Sequence, residues 1–357
     1  MLLHDLLDRG DYLERLSQKQ ARMLLGILER AHDEVIGKIA KTNGELTRQW
    51  LAQVATDIDA AYKVAADQAN KAMQPELEGL AADEASWISE EFNKVFVGVS
   101  TTSPATSLLW ASIKALPAAA GSTLDQLFAG LAENSRAAAI EAIQLGMVEG
   151  ETVDQLTRRL RGRTVRRASW RAVDGVRTYI PGTYEGGALE NVTTRQARAL
   201  ARTAVMHVGN QAREAFYQAN DDIIKGYQRV ETLDGDTCLV CGADDGHVYK
   251  IDEARPSLPQ HPSCRGLYCP VLKSFRELGL DMDEIPPGTR ASMDGQVAES
   301  VTYADRLAKM AASERAAILG PGRAALYNRG VPITDMVQGG KLIPLVEMNR
   351  QKKKGAA

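Results

Sequence analysis

Cys238-Leu-Val-Cys241 is followed, after nineteen intervening residues, by His261-Pro-Ser-Cys264. Two closely spaced pairs of soft ligands suit a tetrahedral zinc ion. Each pair spans one edge of the tetrahedron, and the intervening loop brings the edges together. All four cysteines of the 357-residue chain, Cys269 being the fourth, fall within one 32-residue window. Thiols so concentrated, with a histidine at ligand spacing, point to metal rather than to a disulfide pair or to unrelated buried thiols. Gly242 allows the backbone to turn around an ion, Pro262 stiffens the second turn, and Arg265 sets a positive charge beside the thiolates. The segment is poor in apolar residues, and a structural zinc worth about 10–16 kcal/mol would close it. No open coordination position is evident. The predicted site is therefore a structural zinc on Cys238, Cys241, His261 and Cys264, with no catalytic residue. Cys269 in place of His261 stays open as an alternative, and His247 is a weaker candidate ligand. Asp234, Asp236, Asp244 and Asp245 crowd the same segment without EF-hand spacing, and are read as turn-forming and hydrogen-bonding groups.

A second concentration of chemistry lies upstream. Arg158, Arg159, Arg161, Arg163, Arg166, Arg167 and Arg171 share one short stretch, with Trp170, Tyr179 and Tyr184 nearby. Guanidinium groups interleaved with aromatics suit a phosphate backbone with stacked bases. They equally suit an acidic protein groove, and the plain alternative is a solvated helix end.

The elements that must position these groups are mostly helical. Apolar residues recur at three- and four-residue steps from Leu13 to Ile39, with Asp11 and Glu14 as a variant capping box. A second helix runs through Trp50, Val54, Ile58 and Tyr62, and the short connection at Asn43-Gly44 predicts an antiparallel hairpin. Weaker helices are expected at 83–98 and 106–116. Ser122-x-x-Asp125 and Thr152-x-x-Gln155 read as starts of two more, and Thr193-x-x-Gln196 as the cap of a long helix to Ala219. Between them, Gly162, Gly175, Pro181-Gly182 and Gly186-Gly187 interrupt every period, so 161–192 reads as an extended basic arm. Short strands are expected at 225–233, 247–251 and 267–272, with the cysteine pairs in the turns, and short helices around 303–312 and 324–329.

The predicted fold class is thus mainly α with a small α+β zinc-binding domain. The expected segments are a helical N-terminal domain over 1–160, the arm over 161–192, the zinc-stabilised α+β domain over 193–275, and a C-terminal extension over 276–357 with a basic tail. Composition agrees. Hydrophobic residues make up 44%, charged 25% and aromatic only 5%, which fits a folded chain of alanine-rich helices and excludes wholesale disorder. No apolar run is long enough to span a bilayer. The start lacks the basic region and cleavage site of a secretory signal, so a reducing compartment is expected. The net charge of −3 hides an uneven spread: residues 1–150 sum to −8, residues 151–210 to +6 and the remainder to −1. A basic centre points to a local anionic partner.

Read in order, Ala201-Arg202-Thr203, Asn210, Asp234-x-x-Thr237-Cys238-x-x-Cys241-x3-Asp245-Gly246, His261-Pro262-x-Cys264-Arg265 and Pro270-Val271 resemble the phage Mu F-like minor head proteins, also called head morphogenesis proteins. Gly146-x3-Gly150-x-Thr152 upstream, and Gly288-Thr289-Arg290, Thr302-Tyr303 and Leu319-Gly320-x2-Arg323 downstream, extend the likeness over roughly 136–330. The resemblance implies a virion protein of a tailed phage or prophage, inside the head near the portal vertex and in the host cytoplasm during assembly. Its partners would be the portal and other head or capsid proteins, with packaged DNA reached through the basic arm. It would assist head morphogenesis and DNA packaging or ejection. By position, Cys238, Cys241, His261 and Cys264 match the family's metal-type residues. Many relatives carry Cys-Arg-Cys after His-Pro, whereas this chain has Cys264-Arg265-Gly266, and Tyr227 and Val230 stand where many carry a tryptophan. The alternatives are a metal-dependent nuclease, for which only His247 remains locally as a general base, and a zinc-stabilised DNA-binding module, which the near-neutral charge around the cysteines disfavours. No phosphate loop, nucleophile elbow or His-Glu-x-x-His is present, so no enzymatic activity, no small-molecule substrate and no membrane role are expected.

Overall fold

A computed structural model of the chain describes residues 2–42, 45–95, 101–166, 169–173, 176–180, 183–284, 286–293 and 295–348; at 106–107, 163–185 and 190–191 it describes backbone alone. In chain order the helices are α1 (Leu2–Ala40), α2 (Arg48–Val95), α3 (Thr106–Ala115), α4 (Leu124–Val148), α5 (Val153–Arg161), α6 (Ala188–Gln218), α7 (Leu239–Asp244), α8 (Tyr303–Lys309) and α9 (Ala312–Tyr327). The strands are β1 (Gly162–Arg166), β2 (Ser169–Val173), β3 (Val176–Ile180), β4 (Thr183–Gly186), β5 (Ile224–Val230), β6 (Val248–Lys250), β7 (Leu267–Leu272), β8 (Thr289–Ser292), β9 (Gly295–Ala298), β10 (Val337–Gln338) and β11 (Lys341–Leu342). The chain is mainly helical with a few small antiparallel sheets, as the sequence predicts. None of the described helices is long and apolar enough to cross a membrane.

The chain divides into two compact units, each assembled from separated segments. One comprises Arg15–Leu80 and Lys114–Val205. Here α1 and α2 run antiparallel, with Lys38 3.6 Å from Asp57 and Gln20 donating to Glu76 at 2.9 Å. Their facing sides are the apolar periods: Leu24, Leu28, Val35 and Ile39 are buried, as are Ile58, Tyr62, Ala65 and Ala69. Alanines on α2, α4 and α6 keep the contacts close. Both α4 and α5 open on full capping boxes, Thr123 with Gln126 and Thr152 with Gln155.

Five helix starts differ from expectation. The one expected at 83 falls inside α2, and the one expected at 324 falls inside α9, which begins at Ala312. Asp11 and Glu14 lie inside α1, which begins at Leu2 because Leu3 and Leu6 continue the apolar stripe. The cap of α4 is Thr123, one residue after Ser122. Thr193 lies inside α6, where its hydroxyl donates to the Leu189 carbonyl. The segment expected as an extended arm forms paired strands. β1 pairs with β4, and β2 with β3, giving nested antiparallel ladders over 162–186. Between the glycines stand Val, Ile, Thr, Tyr and Trp residues, whose strand preference outweighs the interruptions.

The second unit comprises Met1–Glu14, Ala81–Ile113 and Met206–Ala357. A three-stranded antiparallel sheet, order β6-β5-β7, has β5 at its centre, with Tyr227 opposite Tyr249 on one side and Pro270 on the other. Its core gathers Leu3, Leu6, Ile88, Phe92, Phe216 and Tyr217 with the sheet residues Tyr227, Val230 and Leu267. A second cluster packs Leu233 and Leu239 with Tyr303, Leu307, Leu326 and Met336, so the C-terminal helices cover α7. Strand β7 occupies the predicted 267–272, β6 lies within its predicted span, and β5 begins one residue before the expected 225–233 and ends at Val230.

Candidate metal centre

Two short turns bring the soft ligands together. Cys238 is the N-cap of α7, and its sulphur accepts the Cys241 amide at 3.4 Å. One turn of helix therefore presents both thiols on the same side. Gly242 follows because a Cβ there would run into the Tyr303 ring. The second turn closes with the Cys264 amide donating to the His261 carbonyl at 3.1 Å. Ser263 between them takes a left-handed φ of 64°.

The geometry is compact. His261 Nε2 lies 3.1 Å from Cys238 Sγ and 3.1 Å from Cys241 Sγ. Cys241 Sγ lies 3.6 Å from Cys264 Sγ. The ligand atoms of Cys238, Cys241 and His261 all fall within 4.8 Å of one another, and Cys264 joins them through Cys241. Bonds of about 2.3 Å to sulphur and about 2.0 Å to nitrogen make tetrahedron edges of about 3.5–3.8 Å. The observed separations are within a few tenths of an ångström of that. His261 Nδ1 lies 2.9 Å from the Pro262 carbonyl oxygen, so Nδ1 carries the proton and Nε2 faces the sulphurs.

The electrostatics are those of a soft, anionic cradle. The Cys238 thiol is held down to about 4, first by its hydrogen bond with Cys241 and further by His261. Cys264 falls to about 5, first through Cys241, with Arg229 adding to the effect. Cys241 is pushed up, first by its hydrogen bond with Cys238, then by that with Cys264 and by burial. His261 rises to about 9, chiefly through Cys238. Thiolates that need protons or an imidazolium around them present the charge that a divalent soft cation satisfies.

Cys269 stands elsewhere. It lies in β7 opposite Gln228, buried in the core, and burial raises its thiol to about 12. Among the described residues it joins neither group of possible metal ligands. His247 packs edge-on to Tyr249, 4.4 Å between ring centroids, and also belongs to neither group.

Asp234 and Asp245 act on the backbone, whereas Asp244 accepts the Tyr249 hydroxyl at 2.7 Å. Asp234 accepts the amides of Asp236 and Thr237 and pairs with Arg265 at 2.6 Å, which shapes the approach to Cys238. Asp245 is buried and accepts the Glu231 amide at 2.8 Å, the Tyr303 amide at 2.7 Å and the Arg290 guanidinium at 3.2 Å. Reading the sequence missed this junction, although Asp245, Arg290 and Tyr303 all stand in the motifs quoted above. It also missed Glu231, whose carboxylate lies with Cys241 and Cys264 inside 4.8 Å. Arg229-Val230-Glu231, charges alternating with an apolar residue in a strand, was the available signal.

The upstream arginines are partly neutralised. Arg159 donates to Glu151 at 2.6 Å and also pairs with Glu149; Arg161 reaches Asp33 at 3.2 Å; and Arg158 donates to the Asp154 carbonyl. The side chains of Arg163, Arg166 and Arg171, and all of Arg167, lie outside the described residues.

Residues 139–269 match the family model described as Phage Mu protein F like protein. The resemblance drawn from the sequence is borne out over that segment, which contains all four cysteines and His261. The motifs at 288–295, 302–303 and 319–326 lie beyond it. No curated protein and no solved structure matches the chain.

Proposed function

We propose that this Mu F-like chain is a minor structural protein of a tailed-phage head, associated with the portal, which assists head assembly and the packaging or ejection of DNA. The observation that carries the reading is the family match, because it spans the whole cysteine and histidine cluster. The role is non-enzymatic. Cys238, Cys241, His261 and Cys264 hold one structural zinc, which ties α7 to the loop before β7. The soft donor set, the near-tetrahedral separations and the thiolate character of Cys238 and Cys264 support zinc over a hard cation. The portal or another head protein is the expected partner of the helical part, and packaged DNA that of the arginine-rich ladders. The test is deletion of the gene from a phage that carries it, followed by counting DNA-filled heads. Loss of filled heads, restored by the wild-type gene and not by a Cys238→Ser, Cys264→Ser form, is expected. An undiminished yield of filled, infectious particles would refute the reading.

A further inference from the structure

A buried cation stands behind the sulphurs. Arg229 lies near the end of β5 and Glu231 immediately follows the strand, two residues on, so the alternation of extended backbone places them on one face. Arg229 is fully buried. Its Nη2 donates to Cys241 Sγ at 3.6 Å and to Cys264 Sγ at 3.7 Å, while its Nε donates to Glu231 Oε1 at 2.7 Å. The guanidinium also lies over the Tyr268 ring, 5.6 Å from its centroid. Room for the pair is made by Gly266, where a Cβ would collide with the Glu231 carboxylate and the Arg229 guanidinium.

An arginine is expensive to bury, and an ion pair in a protein interior rarely recovers the full cost of desolvation. The charge count at the sulphurs supplies the reason. A divalent ion on three thiolates and a neutral imidazole leaves one negative charge in a buried place. A guanidinium hydrogen-bonded to two of those thiolates offsets it and fixes their direction. Glu231 lies close enough to Cys241 and Cys264 to compete as a ligand, and its bond to Arg229 holds the carboxylate away.

We propose that Arg229, anchored by Glu231, is a positioning residue of the metal centre: it orients the Cys241 and Cys264 sulphurs and balances the excess charge of a three-thiolate site. This rests on the zinc reading above. The rival explanation is that Arg229 merely neutralises Glu231.

The experiment is zinc retention by the full-length chain, titrated with a competing colorimetric chelator, for wild type, Arg229→Met and the double variant Arg229→Met, Glu231→Gln. Loss of an outer partner of a metal ligand costs about 10–100-fold in metal affinity. Both variants should therefore release zinc at chelator concentrations at least about tenfold lower than wild type. The double variant strands no buried carboxylate, so it carries the test even where the single variant misfolds. Retention equal to wild type in either variant would overturn the proposal, and full recovery in the double variant would assign Arg229 to Glu231 alone. A wild-type chain that holds no zinc would instead defeat the metal reading itself, and the two failures are thereby told apart.

Discussion

At the scale of single residues, the metal-type positions were legible because chemistry and spacing coincide: one thiol pair and one histidine–thiol pair survive any uncertainty about the elements between them. What the sequence leaves open is which of His261, Cys269 and His247 faces the thiols of Cys238 and Cys241. That depends on strand register, and Cys269 falls opposite Gln228 within a ladder rather than in a turn. His261 and Cys269 therefore separate by substitution. Cys238→Ser and Cys264→Ser should lose the metal and leave 225–272 open to limited proteolysis. Cys269→Ser should retain the metal and lose roughly 1–3 kcal/mol in chemical denaturation, the cost of burying an unsatisfied hydroxyl. Metal loss from Cys269→Ser with retention in His261→Ala would reverse the ligand assignment. Gly266→Ala tests the space behind the site. Its Cβ would overlap the Arg229 and Glu231 side chains, and a stability loss of about 1–3 kcal/mol is expected from such overpacking. An unchanged denaturation midpoint would show that the pair can move aside.

At the scale of elements, helices with a clear stripe or a true capping box were readable, as Thr152 with Gln155 shows. Strand β7 was readable from its bounding turns and apolar run. The ladders over 162–186 were not, because each strand is four or five residues long and too short to establish a period between glycines. The junction at Asp245 was hidden for another reason. Its partners Arg290 and Tyr303 are more than forty residues away in sequence, and only folding brings them together. Removing Asp245 strands Arg290 in the interior, so Asp245→Ala should cost about 3–5 kcal/mol. Faster amide exchange in 286–310 is the expected signature, and unaltered exchange there would count against the junction. In the other unit, His32 donates from Nε2 to Thr193 Oγ1 at 3.2 Å, since that hydroxyl is itself committed to Leu189, and it meets Tyr62 edge-on. Burial lowers His32 from 6.5 to about 4. The unfolded chain then binds a proton that the folded chain refuses between those values. The stabilising preference is complete above pH 6.5 and is lost as the pH falls toward 4, by roughly 3 kcal/mol. His32→Gln should flatten that part of the difference between thermal melts at pH 7 and pH 4. A variant with the wild-type pH dependence would remove His32 from the account.

At the scale of the whole molecule, composition and charge placed the chain among mainly helical proteins with a basic centre, and the order of its motifs pointed to the Mu F-like proteins that residues 139–269 match. They did not reveal that the compact units are assembled from discontinuous segments, because hydrophobic periodicity records faces and not their partners. The basic centre is also less free than its charge suggests, since Arg159 and Arg161 already have carboxylate partners. The contact expected of this region therefore falls on the arginines further along. Replacing Arg163, Arg166 and Arg167 together with Ala should weaken incorporation into heads or DNA binding while leaving the metal in place. If phosphates are the target, the wild-type affinity should fall steeply with salt, by roughly 0.9 decades per phosphate contact for each decade of salt. Normal incorporation, infectivity and DNA binding in the triple variant would leave these arginines as a solvated surface. The central claim, that this is a component of a phage head, is tested most directly by quantitative mass spectrometry of gradient-purified heads, filled and empty, beside the whole lysate. The chain should co-purify with heads at a small, fixed ratio to the major capsid protein. Its presence in the lysate and absence from both classes of head would contradict the account.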